Sequence, residues 1–158
     1  MAGRAKRFAM SDARDLPKEL ARGLCRALAQ RGFATLTEVP LASGRRADVL
    51  ALGREGELVI IEIKSSVADF KSDRKWPEYR QFCDRLYFAV PDGFPRELIP
   101  EDCGLIAADP FGGAVLREAP LVPLAAARRR AMLLRFARIA AGRLRRLIDP
   151  AIDDPELG

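Results

Sequence analysis

The chain has 158 residues, 49% of them hydrophobic, a net charge of +5, three cysteines and no histidine. That length supports one domain with a proper core. Without histidine the chain cannot run a Ser-His-Asp or Cys-His centre, an HNH-type nuclease or a histidine-ligated zinc hydrolase, so carboxylate and metal chemistry is what remains.

Residues 1–11 and 150–158 lack periodicity and are expected to be flexible tails around a single domain, 12–149. Leu16-Pro17-Lys18-Glu19 opens a helix to about Arg31, with Leu20, Leu24, Ala27 and Leu28 on one face and Gly32 ending it. Three strands follow over 33–39, 47–52 and 57–64, the last two joined by the tight turn Arg54-Glu55-Gly56. Residues 65–75 read as a polar loop carrying Asp69, Lys71, Asp73, Arg74 and Lys75. Pro77 suits the first turn of a helix to about Asp84, after which 86–90 and 104–108 are strands four and five. The pattern is α/β with a mixed central sheet, closed by an amphipathic helix over 123–148. That helix turns Leu133, Phe136, Ala137, Ala140, Leu144 and Leu147 inward and Arg128, Arg135, Arg138, Arg145 and Arg146 outward.

The cysteines Cys25, Cys83 and Cys103 are odd in number and show no C-x-x-C spacing, which argues against a disulfide framework or a zinc ribbon. Cys25 and Cys103 read as small core residues. Arg4, Lys6, Arg7 and Arg14 break up any signal-peptide core, and no stretch approaches membrane-spanning length, so a cytoplasmic protein is expected.

The strand 57–64 carries the chemistry. Alternation puts Leu58, Ile60, Glu62 and Lys64 on one face and Val59, Ile61 and Ile63 on the other. If Gly53 pairs with Glu57 across the turn, counting back along both strands sets Asp48 opposite Glu62. Opposed Cβ atoms lie about 4.5–5.5 Å apart, and like charges there destabilise a sheet unless something positive lies between them. A bound cation would supply that charge. Glu38, ending an earlier apolar segment, could bring a third carboxylate from the neighbouring strand. Oxygen ligands alone suit Mg²⁺ or Mn²⁺, and Mg²⁺ usually takes one or two carboxylates and keeps several waters. A Glu-x-Lys at a strand end is also a common solvent-facing pair; the apolar run before Glu62 and its match to Asp48 set this one apart.

Between Arg128 and Arg146 there are eight arginines and no acid, which exceeds the net charge of the whole chain. A one-sign stripe fits a surface that contacts DNA phosphates, and equally a solvated face or one that docks an acidic partner. Lys71, Arg74 and Lys75 offer further phosphate contacts. Trp76 and Tyr79 can stack on unpaired bases or pack beside Pro77.

The order of Glu38, Asp48 and Glu62-x-Lys64, then helix and strand, resembles the PD-(D/E)xK nuclease superfamily. More narrowly, Gly44-Arg45-Arg46-Ala47-Asp48-Val49, Glu62-Ile63-Lys64-Ser65-Ser66, Asp69-Phe70, Asp73, Lys75-Trp76, Tyr79 and Cys83-Asp84 resemble the bacterial MmcB family of DNA repair proteins, over about residues 16–147. The resemblance implies a restriction-endonuclease-like αβββαβ core and a Mg²⁺- or Mn²⁺-dependent DNA endonuclease acting in repair, with DNA and repair-complex proteins as partners. It implies that Asp48, Glu62 and the Ile63 backbone carbonyl bind the metal and that Lys64 holds the attacking water and the scissile phosphate. Glu38 takes the place of the additional upstream acid, with Glu19 on the first helix as the alternative. Ala47 stands where the name-giving proline would be. Two acids beside Lys64 favour an orienting and charge-stabilising role over that of general base. The different class of answer is a DNA-binding or partner-docking repair module with little cleavage of its own.

Overall fold

The computed structural model describes residues 14–151; the expected tail over 1–11 and all but the first two residues of that over 150–158 lie outside it. Helix α1 (Leu16–Gln30) carries Pro17 in its first turn, buries Leu20, Leu24 and Leu28, and ends before Gly32, which takes the left-handed conformation at φ 85°. Strands β1 (Ala34–Pro40), β2 (Arg46–Leu52) and β3 (Leu58–Ile63) form an antiparallel meander. In the β2–β3 turn Gly53 N–H donates to the Glu57 carbonyl at 2.8 Å and Gly56 adopts φ 89°, which fixes the expected register. Val49 pairs with Ile61 and Leu52 with Leu58.

Strand β4 (Arg85–Val90) runs parallel to β3, and β5 (Gly104–Ala108) parallel to β4. A further strand, β6 (Gly113–Arg117), pairs antiparallel with β5 and ends a six-stranded mixed sheet in the order 1-2-3-4-5-6. Both faces are covered, so every residue of β3 is buried. Val49, Ala51, Val59, Ile61, Tyr87 and Ala89 pack with α1 on one side. Leu50, Leu58, Ile60, Phe88 and Val90 pack on the other, against a 3₁₀ helix (Trp76–Phe82) and the C-terminal helix α3 (Ala126–Ile148).

Five expectations change. The polar loop contains a short helix, α2 (Val67–Ser72), whose Ser66 hydroxyl accepts from the Asp69 amide at 3.1 Å while Ser65 N–H donates to Asp69 at 3.2 Å. This reciprocal cap supports a helix too short for periodicity to reveal. The segment at Pro77 winds as 3₁₀, and β6 was missed because a five-residue edge strand carries almost no apolar alternation. Helix α3 begins at Ala126 and buries Met132, Phe136, Ile139 and Gly142. Leu144 and Leu147, expected inward, are 58% and 81% exposed, because the last turns of α3 face the protein through Gly142 and Arg143 instead. Within these residues no helix is long and apolar enough to cross a membrane.

Candidate active site

The site forms where β2 and β3 part. Their ladder stops at Val49 and Ile61, and carboxylates take over from backbone pairing. Asp48 N–H donates to Glu62 Oε1 at 3.1 Å, and Ile63 N–H donates to Asp48 Oδ2 at 2.8 Å. β3 meanwhile continues along β4, with Lys64 N–H donating to the Ala89 carbonyl at 2.9 Å. Asp48 and Glu62 therefore face each other as the register requires, and Lys64 follows on the same strand, buried.

Their electrostatics follow from that enclosure. Burial, and then the Asp48 charge, push the Glu62 carboxyl up to about 8. Burial also raises Asp48, against the opposing pull of the Ile63 amide and Lys64. Two adjacent carboxylates that resist joint ionisation are the electrostatic counterpart of a missing positive charge. Each commits one oxygen to an amide, which leaves Asp48 Oδ1 and Glu62 Oε2 for a cation. Those two oxygens and the Ile63 backbone carbonyl are the groups that would hold a Mg²⁺ ion, which takes oxygen ligands and keeps several waters. The residues line an open cleft of about 840 Å³, together with Pro17, Arg45, Arg46 and Tyr79.

The third acid does not join them. Glu38 stands at φ 50°, which turns its side chain out of the strand's alternation; its carboxylate is 61% exposed and lies 3.6 Å from Arg46. It lines only an adjoining hollow of about 390 Å³, with Thr37, Asp48 and Ile63, and Glu19 lines neither space. Among the described residues no three acidic, cysteine or histidine side chains converge as a metal-holding group, so the centre is one of two carboxylates.

Asp73 and Arg45, which carry part of the family resemblance, are not among the expected site residues. Lys64 Nζ donates to Asp73 Oδ2 at 2.8 Å, and Arg45 Nη2 to Asp73 Oδ1 at 3.1 Å. Burial alone would raise the Asp73 carboxyl, but the Lys64 hydrogen bond and charge, with the Lys75 amide and Arg45, hold it below its ordinary value. Spacing gives no hint of this, because a turn of irregular backbone carries Asp73 back to the sheet.

Of the expected nucleic-acid contacts, Lys71 in the last turn of α2 and Arg74 and Lys75 after it are exposed. Trp76 sits edge-on to Phe88 with ring centroids 5.3 Å apart, under Arg80. Tyr79 is buried: its hydroxyl donates to the Arg46 carbonyl at 3.0 Å and Arg45 covers its ring, so it packs and has no face for a base. Arg128 lies over the Phe82 ring at 4.9 Å, and Arg138 is exposed. Arg135 donates to the Pro40 carbonyl at 3.0 Å, while Arg143 donates to the carbonyls of Thr37 and Glu38 at 2.6 and 3.0 Å. β1 is an edge strand, and these two arginines of α3 satisfy carbonyls that no further strand pairs.

A mixed six-stranded sheet that parts around a buried carboxylate, a half-buried one and a buried lysine, in a cleft open to solvent, defines an α/β protein with an acid-and-lysine centre. The chain belongs to the MmcB-like family, described as DNA repair protein MmcB-like, which matches residues 7–151. It is also similar to a solved structure, the SPO1766 protein of unknown function from Silicibacter pomeroyi. The two are 44% identical with a TM-score of 0.84, over 88% of this chain and 95% of that one. None of the curated proteins matches it. Family membership sets the chain among DNA repair proteins.

Proposed function

We propose that the protein is a Mg²⁺- or Mn²⁺-dependent DNA endonuclease of the PD-(D/E)xK type, hydrolysing phosphodiester bonds in repair. The observation that carries this reading is the meeting of Asp48, Glu62 and Lys64 at the parting of β2 and β3. Asp48 Oδ1, Glu62 Oε2 and the Ile63 carbonyl would hold the cation. When bound, the ion acidifies its water and neutralises charge on the phosphoryl group. Lys64 orients the attacking water and donates to a non-bridging phosphate oxygen, and Lys71, Arg74 and Lys75 hold the backbone on either side. The test is cleavage of single-stranded, duplex and branched DNA across a Mg²⁺ and Mn²⁺ titration. Glu62→Gln should lower the rate at least about 100-fold while leaving DNA affinity within a few-fold; equal cleavage by the variant rejects the reading.

One observation favours a second reading, a DNA-binding or partner-docking repair module. The Lys64 ammonium already bonds to Asp73, and Arg135 and Arg143 are engaged on β1. On that reading DNA is retained at low salt and no divalent ion elicits cleavage.

A further inference from the structure

Two cations of the cleft share one carboxylate. The Lys64 side chain is 6% exposed and that of Asp73 14%, so their bond at 2.8 Å is shielded from bulk water. Arg45 takes the other carboxylate oxygen at 3.1 Å, lies over the Tyr79 ring at 5.1 Å, and keeps a buried Nε that bonds to nothing. An Asp carboxylate bridging a lysine and an arginine presents what a phosphodiester presents, two acceptor oxygens sharing one negative charge. Lys64 and Arg45 line the cleft from which a phosphate would arrive.

The backbone that carries Asp73 is lightly held. Helix α2 buries none of its residues. Residues 71–75 run between two aromatic anchors, Phe70 packed edge-on against Phe88 and Phe94, and Trp76 packed against Phe88. Between those anchors Lys71, Arg74 and Lys75 are exposed, and the side-chain tie from the segment to the sheet is Asp73 itself. Segments with few buried contacts open at low cost.

We propose that Asp73 holds the place of a phosphate group between Lys64 and Arg45, and that an incoming phosphate takes over both cations and frees residues 71–75. The released segment brings Lys71, Arg74 and Lys75 to the backbone of the same ligand. The source of that phosphate as DNA rests on the function proposed above; the exchange itself does not.

The experiment uses the full chain in EDTA without divalent ions, so cleavage plays no part. Inorganic phosphate and, separately, a fluorescein-labelled single-stranded oligonucleotide are titrated. The readouts are emission from Trp76, the only tryptophan, and anisotropy of the label. Asp73→Asn should bind both probes about tenfold more tightly, because the competing anion is gone. Its unliganded Trp76 emission should match that of the liganded parent. Arg45→Gln should weaken both probes several-fold, and the double variant should lose the gain. Equal or weaker binding by Asp73→Asn overturns the proposal and makes Asp73 a fixed support for Lys64. Tighter phosphate with no retention of oligonucleotide by any variant upholds the exchange and rejects DNA as the source. Should Asp73→Asn fail to fold, Arg45→Gln decides, and unchanged affinity for both probes overturns the exchange.

Discussion

Glu62 gives the most direct handle on the site, because its protonation is linked to stability. Its carboxyl is raised from 4.5 to about 8 by burial and by Asp48, and the residue is 3% exposed, so solvent screens little of the effect. An acid whose pKa is higher in the folded state binds an extra proton there. The stability it contributes is complete below the unfolded value of about 4.5 and is lost as pH climbs through about 8. The loss runs at about 1.4 kcal/mol per pH unit, a total of roughly 3–6 kcal/mol over that window. Urea denaturation followed by circular dichroism, from about pH 5 to about pH 8.5 without divalent ions, reads it. That range stops short of Cys83 and Cys103, whose thiols burial pushes up to about 12 and about 11. Glu62→Gln should flatten the profile and be the more stable protein at the alkaline end. Mg²⁺ should restore the parent there and leave the variant unmoved, since a ligand stabilises only the state it binds. A parent profile flat within about 0.5 kcal/mol, or a variant as steep as the parent, refutes the argument that burial and the neighbouring acid raise this carboxyl.

Other parts of the fold yield independent tests. Asp84 is 2% exposed on its side chain and accepts from the amides of Leu58 and Leu124 and from Arg129, so Arg129→Met should cost about 3–5 kcal/mol in urea denaturation, with Asp84→Asn in the same chain recovering most of it. Gly23→Ala should destabilise by about 2 kcal/mol, although alanine favours the helix, because its Cβ would lie 1.9 Å from the Asp109 carbonyl oxygen; an unchanged thermal midpoint would refute this. Replacing Lys71, Arg74 and Lys75 together by glutamine should leave stability within about 0.5 kcal/mol, while the salt slope of DNA binding shrinks by about 2 to 3. An unaltered slope in filter-binding assays would remove this loop from the DNA interface.

The facing carboxylates were legible in the sequence and the support for them was not, for physical reasons. A glycine turn sets hairpin register, and register alone brings Asp48 to Glu62, so no tertiary knowledge was needed. Strand periodicity likewise put Lys64 beside them. Glu38 misled because alternation assumes an unbroken strand, and φ 50° breaks it at that residue. Asp73 meets residues 9 and 28 positions away through irregular backbone, where no period applies. Arginines are opaque in another way. Arg135 and Arg143 share their composition with a phosphate-binding stripe, yet the edge strand β1 engages both of them, and only coordinates tell a capped carbonyl from a waiting phosphate.

That edge bears on the choice between cleavage and mere binding. The arginines of α3 at β1 are engaged on that edge strand, while the cations left exposed on 71–75 are tethered through Asp73 to the same Lys64 that the hydrolytic reading requires. A module that only bound DNA would have no need to set two mutually repelling carboxylates, one buried and one half-buried, at the parting of its central strands. Retaining them at that cost is understandable if a cation enters with the substrate. Comparing DNA affinity with and without Mg²⁺ separates the two cases. A rise in affinity that Glu62→Gln abolishes ties the carboxylates to the ligand, and identical affinities leave them without a function in binding.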